Sequence, residues 1–188
     1  MLHFGPTNSI STMPEIITAK SLLDTEYQPY FQTYIDLVGD DDVRHLLKKQ
    51  IPEFENLFGR IDEATSQIVH SPYGWTIRQV VGHLIDGEKI FGTRGHKIAC
   101  GENQPLAGFD QDLYVSNTEY SGATLADLVS EFILIRESNI LMFNRWSDSM
   151  WQQSGICDGQ KLSVKAIACI LVGHLNHHLR IVEKRINS

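Results

Sequence analysis

From residue 24 onward, apolar residues recur at three- and four-residue spacings, and no alternating apolar/polar run is long enough to make a sheet. A chain with that one period must bury helical stripes against each other, so the expected fold class is all-α. At 188 residues the chain suits a single domain that closes its core without disulfides.

The spacing predicts a first helix over about 24–38, with Tyr27, Tyr30, Phe31, Tyr34, Leu37 and Val38 on one side and Pro29 in an early turn. Asp40, Asp41 and Asp42 then supply carboxylates for a second helix start. That helix runs through Val43, Leu47, Phe54, Phe58 and Ile61, with Pro52 as a candidate kink. Thr76 and Gln79 form a capping-box pattern that opens a third helix over about 76–99. A long connection follows, over 101–122. Thr124 with Asp127 opens a fourth helix that reaches about residue 146. A second connection over 147–160 leads to a last helix over about 163–186. Residues 1–23 are polar with two prolines and are expected to be loosely ordered or to lie over the bundle surface, leaving 24–188 as one domain.

The formal net charge is −7, and the basic residues form no stripe, which argues against nucleic-acid partners and anionic membranes. No segment has the ~18 consecutive apolar residues of a membrane span. The N-terminus lacks the pattern of a secretory signal peptide. Cys100, Cys157 and Cys169 are odd in number and far apart, with no C-x-x-C pair. A reducing cytoplasm is the expected setting.

The chemistry concentrates in the last helix, which reads G-H-L-N-H-H-L over 173–179. His174 and His178 are four apart, one above the other, and both fall within about 60° of the centre of the apolar stripe. His177 falls about 120° away, toward solvent or a neighbouring edge. Two imidazoles at i, i+4 on a buried face can chelate one ion, with a third ligand from another helix. His83, at the border of the third helix's apolar face, is the best candidate for it. Gly87 one turn on leaves open space beside that histidine. A core histidine bonded to a backbone carbonyl would equally explain any one of these residues taken singly. Three neutral histidines suit zinc, nickel, iron(II) or copper. They also leave a coordination position open, as in catalytic sites.

Three segments in order, WTIRQVVGHLIDGEKIFGTR (75–94), PLAGFDQDLYV (105–115) and GHLNHHLRIVEKR (173–185), resemble the DinB/YfiT-like superfamily of small bacterial helical proteins. The resemblance spans about residues 27–186. It implies an antiparallel four-helix bundle with a long crossover connection, and homodimers. It also implies one divalent metal ion, zinc or nickel with iron as a further candidate, on three histidines that correspond here to His83, His174 and His178. Some members of the superfamily are thiol-dependent S-transferases, including maleylpyruvate isomerases, and others are labelled metal-dependent hydrolases. The expected activity is therefore a metal-dependent hydrolysis or a low-molecular-weight-thiol transfer on a small molecule. A non-catalytic, metal-binding or stress-related protein is the alternative. Relatives typically read D-T-E-R where this chain has Asp86, Gly87, Glu88 and Lys89, so no role of that arginine carries over to Lys89.

Other polar residues bear on the site. Glu88 projects onto the apolar face of its helix and needs a buried hydrogen bond or ion pair. It stands about 140° from His83 and so does not orient it. Asp86 projects outward as a solvated residue. Arg94 aligns with His83 about 16 Å further along the helix, where it would pair with Asp110 or Asp112 or hold a substrate carboxylate. Asp110 and Asp112 read as capping residues, with a general base near the site as the sharper alternative. Trp75 and Trp146 read as core or interface residues, and Cys169 points away from the histidines.

Overall fold

A computed structural model describes residues 15–187. Its frame is four long helices: α2 (Val43–Phe58), α4 (Ile77–Ala99), α6 (Leu125–Phe143) and α8 (Val164–Ile186). Their starts follow from capping chemistry. The Asp42 carboxylate accepts from Arg44 N–H, Thr76 and Gln79 cap each other, as do Thr124 and Asp127, and Ser163 accepts from Ala166 N–H. Each such cap contributes about 1 kcal/mol. Pro52 lies inside α2, which continues through it.

Cross-helix contacts give the topology. Arg78 reaches Ala123, Glu88 reaches Arg136, and a Cβ on Gly92 would meet Asn139, so α4 and α6 run parallel side by side. A Cβ on Gly95 would meet Ile167, whereas Trp75 at the other end of α4 meets Arg185, so α4 and α8 are antiparallel. α2 also packs against both α6 and α8, which places α2 and α4 on a diagonal. Parallel neighbours need a connection as long as the helix itself. This is the crossover over 100–124, which carries α5 (Gln111–Asn117) and a 3-10 turn at Tyr120–Gly122.

Two elements differ from the sequence expectation. Residues 24–38 form 3-10 turns at Asp24–Glu26 and Pro29–Phe31 and a short α1 (Gln32–Ile35), not one helix. Tyr27 and Gln28 are extended, the conformation a residue before proline favours. The second connection also holds a β-hairpin, β1 (Ser154–Cys157) with β2 (Gln160–Ser163), after a helical turn α7 (Asp148–Trp151). Its two-residue loop, Asp158-Gly159, takes positive φ at both positions (52° and 73°), the turn that matches strand twist. Leu106 bonds to the hairpin at Ile156 and Asp158 and so anchors the start of the crossover. α3 (Glu63–Ser66) and a 3-10 turn at Ala19–Ser21 complete the elements among the described residues.

Residues 15–18 lie along the start of α2, where Ile17 is fully buried and its backbone pairs with Asp42 and Val43. Residues 1–14, part of the expected N-terminal segment, lie outside the described residues. Among the described residues no helix is long and apolar enough to cross a membrane.

The core is two apolar clusters, one around Leu47, Phe91, Phe143 and Leu171, the other around Phe54, Leu84, Phe132 and Leu175. A polar layer lies against both. Arg136 donates to Glu88 (2.7 Å), Gln50 (2.8 Å) and the Leu171 carbonyl. Gln50 donates to Asn176, which donates to the Leu37 carbonyl, and Asn139 donates to Glu88. The layer touches all four long helices, and the histidines sit beside it.

Candidate metal centre

α4 brings His83, and α8 brings His174 and His178, to one point inside the bundle. The three rings each offer a nitrogen within 4.8 Å of the others, and all three residues are buried. Helical spacing set the vertical alignment of His174 over His178; antiparallel packing of α4 on α8 supplies His83. Ring centroids are 4.8–5.0 Å apart, edge to face. His83 Nε2 lies 2.8 Å from His174 Nε2. His177 stays outside the group, against Tyr34.

Burial is the first cause that lowers the pKa of all three imidazoles; neighbouring histidines add to it, His177 for His83, and other members of the cluster for His174 and His178. For His83 the value is pushed down to about 4. The rings are therefore neutral at pH 7 and keep lone pairs available to a cation. His83 Nδ1 and His178 Nδ1 are buried without a hydrogen-bond partner. Such orphaned groups call for a structural reason, and for His178 Nδ1 a bound ion is one, whereas His83 turns its Nε2 toward the cluster and its Nδ1 lies outside the ligand set. Nitrogen–metal bonds of ~2.0–2.1 Å at tetrahedral or right angles hold two ligand nitrogens roughly 3 Å apart, close to the observed His83–His174 separation. The donor set fits a borderline divalent ion. Among the described residues no Asp, Glu or Cys joins the three as a fourth ligand.

Neighbours hold the rings in place. Trp75 packs on His83 and Tyr34 meets His174 edge to face. The space at Gly87 serves His174, not His83 as the helical reading placed it. A Cβ there would stand 3.2 Å from His174 Cε1 and 3.3 Å from Nδ1. Periodicity on α4 alone cannot show which ring of a partner helix leans on that gap.

His83 and His174 line a cavity of about 210 Å³ walled by Tyr30, Phe31, Tyr34, Phe91 and Phe109 and ending near Arg94, Cys157 and Asp158. Of these, sequence reasoning linked only Arg94 to a substrate; the Asp-Gly turn was the signal for the hairpin that carries Cys157 and Asp158. His178 faces a second cavity, shared with Trp75, Asp112 and Arg185. Asp112 thus shares a cavity with a proposed ligand, whereas Asp110 caps α5 through Asp112 and Leu113 N–H.

The remaining candidates fall into place. Glu88 forms the expected buried ion pair, with Arg136, a residue the sequence reading did not single out. Lys89 pairs with Glu131 at the surface. Asp86 is half-buried, not solvated, because the crossover lays Tyr120 over it and the Tyr120 hydroxyl donates to its carboxylate. Arg94 pairs with neither Asp110 nor Asp112 and donates instead to the Ala107 carbonyl. Cys169 is buried, its thiol pushed up to about 12 chiefly by burial, and stays outside the histidine group.

The sequence profile of the DinB superfamily matches residues 46–182, a span that holds all three histidines. Among solved structures, YfiT from Bacillus subtilis superposes with a TM-score of 0.70 at 15% identity, over 86% of this chain and 94% of its own. It is described as a probable metal-dependent hydrolase with an unusual four-helix bundle topology. The mycothiol-dependent maleylpyruvate isomerase superposes with a TM-score of 0.63 at 12% identity, over 73% of this chain. The matched part is 58% of the isomerase, so this chain spans little more than half of that protein. No curated protein matches the sequence. At such identities these likenesses speak to the fold.

Proposed function

The chain belongs to the DinB superfamily, and from that premise we propose that it is a metal-dependent enzyme that holds one divalent ion, zinc or nickel, through His83, His174 and His178. One observation carries the reading: three buried, neutral imidazoles meet at one point, two of them line a cavity, and among the described residues no Asp, Glu or Cys closes the group as a fourth ligand. A structural site would be closed by four protein ligands, whereas three leave room for a reactant. When bound, such an ion lowers the pKa of a water or thiol beside it into the neutral range.

The chain's own residues set what can reach that point. His83 and His174 line the aromatic cavity, whose walls suit an apolar group. Trp75 and Tyr34 fix two of the three rings, so little reorganisation is needed when a reactant arrives. The water-activating form would be a hydrolase, and the thiol-activating form an S-transferase. The descriptions of YfiT and of the mycothiol-dependent isomerase support one each.

The test is turnover. Nickel- or zinc-loaded protein is assayed on a panel of aryl esters and amides, and separately with small thiols plus an electrophilic acceptor. The proposal expects turnover in one panel, lost on chelation, restored by the ion, and absent from the His174→Ala protein. An ion bound in stoichiometric amount with no turnover in either panel would return the site to a structural role.

A further inference from the structure

We propose that Arg94 is a carboxylate anchor, so that the substrate is an elongated anion with an apolar middle whose far end reaches the histidine cluster. The inference rests on reading the histidine site as the reacting end of the cavity.

Arg94 is 8% exposed, yet it lines the aromatic cavity. Among the described residues no carboxylate lies within ion-pair distance of it, and its hydrogen bond to the Ala107 carbonyl uses one of its five donors. None of its nitrogens is among the buried atoms without a partner, and the residue lines the cavity. Another buried arginine, Arg136, is instead matched to Glu88. A buried guanidinium without a counter-charge is costly unless an anion arrives to meet it.

The surroundings define the anion. The guanidinium carbon sits 5.4 Å from the Phe91 ring centre and 5.6 Å from that of Phe109. The two rings hold the planar fork, and a planar group with two acceptor oxygens matches it. Side chains on a helix lean toward its N-terminus, which on α4 is the direction of His83. Gly87, against His174, lies seven residues before Arg94, so the anion and the reacting end are separated by one to two turns, roughly 5–10 Å. Phe31 and Phe91 stand face to edge between them, 5.8 Å apart. A carboxylate joined to an aryl or short alkyl body spans that distance.

The probes are 4-phenylbutyrate and its neutral amide, titrated by ligand-observed NMR into the full chain. Chelator-treated protein is used alongside metal-loaded protein, so that a carboxylate binding an ion is told apart from one binding Arg94. In chelator-treated protein the carboxylate should bind at least about tenfold more tightly than the amide. The Arg94→Gln protein should lose that preference and keep its affinity for the amide. In ¹⁵N-labelled wild-type protein, the Arg94 Nε–H signal should shift with the carboxylate and not with the amide, a readout that needs no variant. Equal affinity for the two probes, or a preference that survives Arg94→Gln, would overturn the proposal. Because these outcomes are read without metal, they stand apart from the test of the metal centre.

Discussion

At the scale of single residues, the histidine cluster depends on one missing methyl group. Gly87 faces the His174 ring, and a Cβ there would press on Cε1 and Nδ1 at 3.2–3.3 Å. Alanine would add about 1 kcal/mol of helix propensity and cost a similar amount in crowding. Gly87→Ala is therefore expected to leave global stability within about 1 kcal/mol of the parent while it weakens metal affinity about tenfold or more. Competition against a chromogenic chelator measures this; unchanged affinity would show that the ring does not need that space. The cluster was partly legible in the sequence. His174 and His178 follow from spacing alone, whereas His83 needed either a family resemblance or the packing of α4 on α8. Arg136 was not legible. It lies at 1% exposure while Leu134 and Leu141 on the same helix are 67% and 63% exposed, the reverse of what residue type suggests. A helix apolar on several sides does not say which side is in.

At the scale of elements, α8 is held against the N-terminal segment by the absence of a side chain at Gly173. A Cβ there would overlap the Tyr34 carbonyl. Because the obstacle is backbone, relief requires α1 to lift away from α8, and with it Tyr34, which contacts His174 and lines the cavity. Gly173→Ala is expected to cost about 1–3 kcal/mol, and more if α1 cannot shift. Chemical denaturation gives the number, and a loss below about 0.5 kcal/mol, the size of an ordinary surface change, would mean that α1 is not seated as described. Helix existence was legible from period and caps; helix length in the first segment was not, because Pro29 interrupts the pattern and Tyr27, Tyr34 and Ile35 reach the core from an extended residue and the short α1. The hairpin escaped because four-residue strands are too short to show alternation, although Asp158-Gly159 is a strong hairpin signal.

At the scale of the whole molecule, the polar layer sets the register of four helices against each other. Its centre is the Glu88–Arg136 pair, at 3% and 1% side-chain exposure. Removing one charge leaves the other buried and uncompensated, so Glu88→Gln should lose about 3–5 kcal/mol. Pairing it with Arg136→Met should recover part of that loss, since an apolar replacement for both charges is often tolerated. A double variant less stable than Glu88→Gln alone would contradict this account of the layer. The same layer lies against both apolar clusters, and the cavity with its histidines opens where they meet. The parallel run of α4 and α6, forced by the crossover, is what puts Glu88 and Arg136 at one height.

The central claim is one ion held by three histidines. Elemental analysis of protein purified without a histidine tag, set beside the His83→Ala, His174→Ala and His178→Ala proteins, tests it most directly. The account predicts one equivalent of zinc or nickel per folded parent chain and its loss from each variant. A folded parent chain without a transition metal after incubation with these ions, or a His178→Ala protein that keeps its full equivalent, would contradict it.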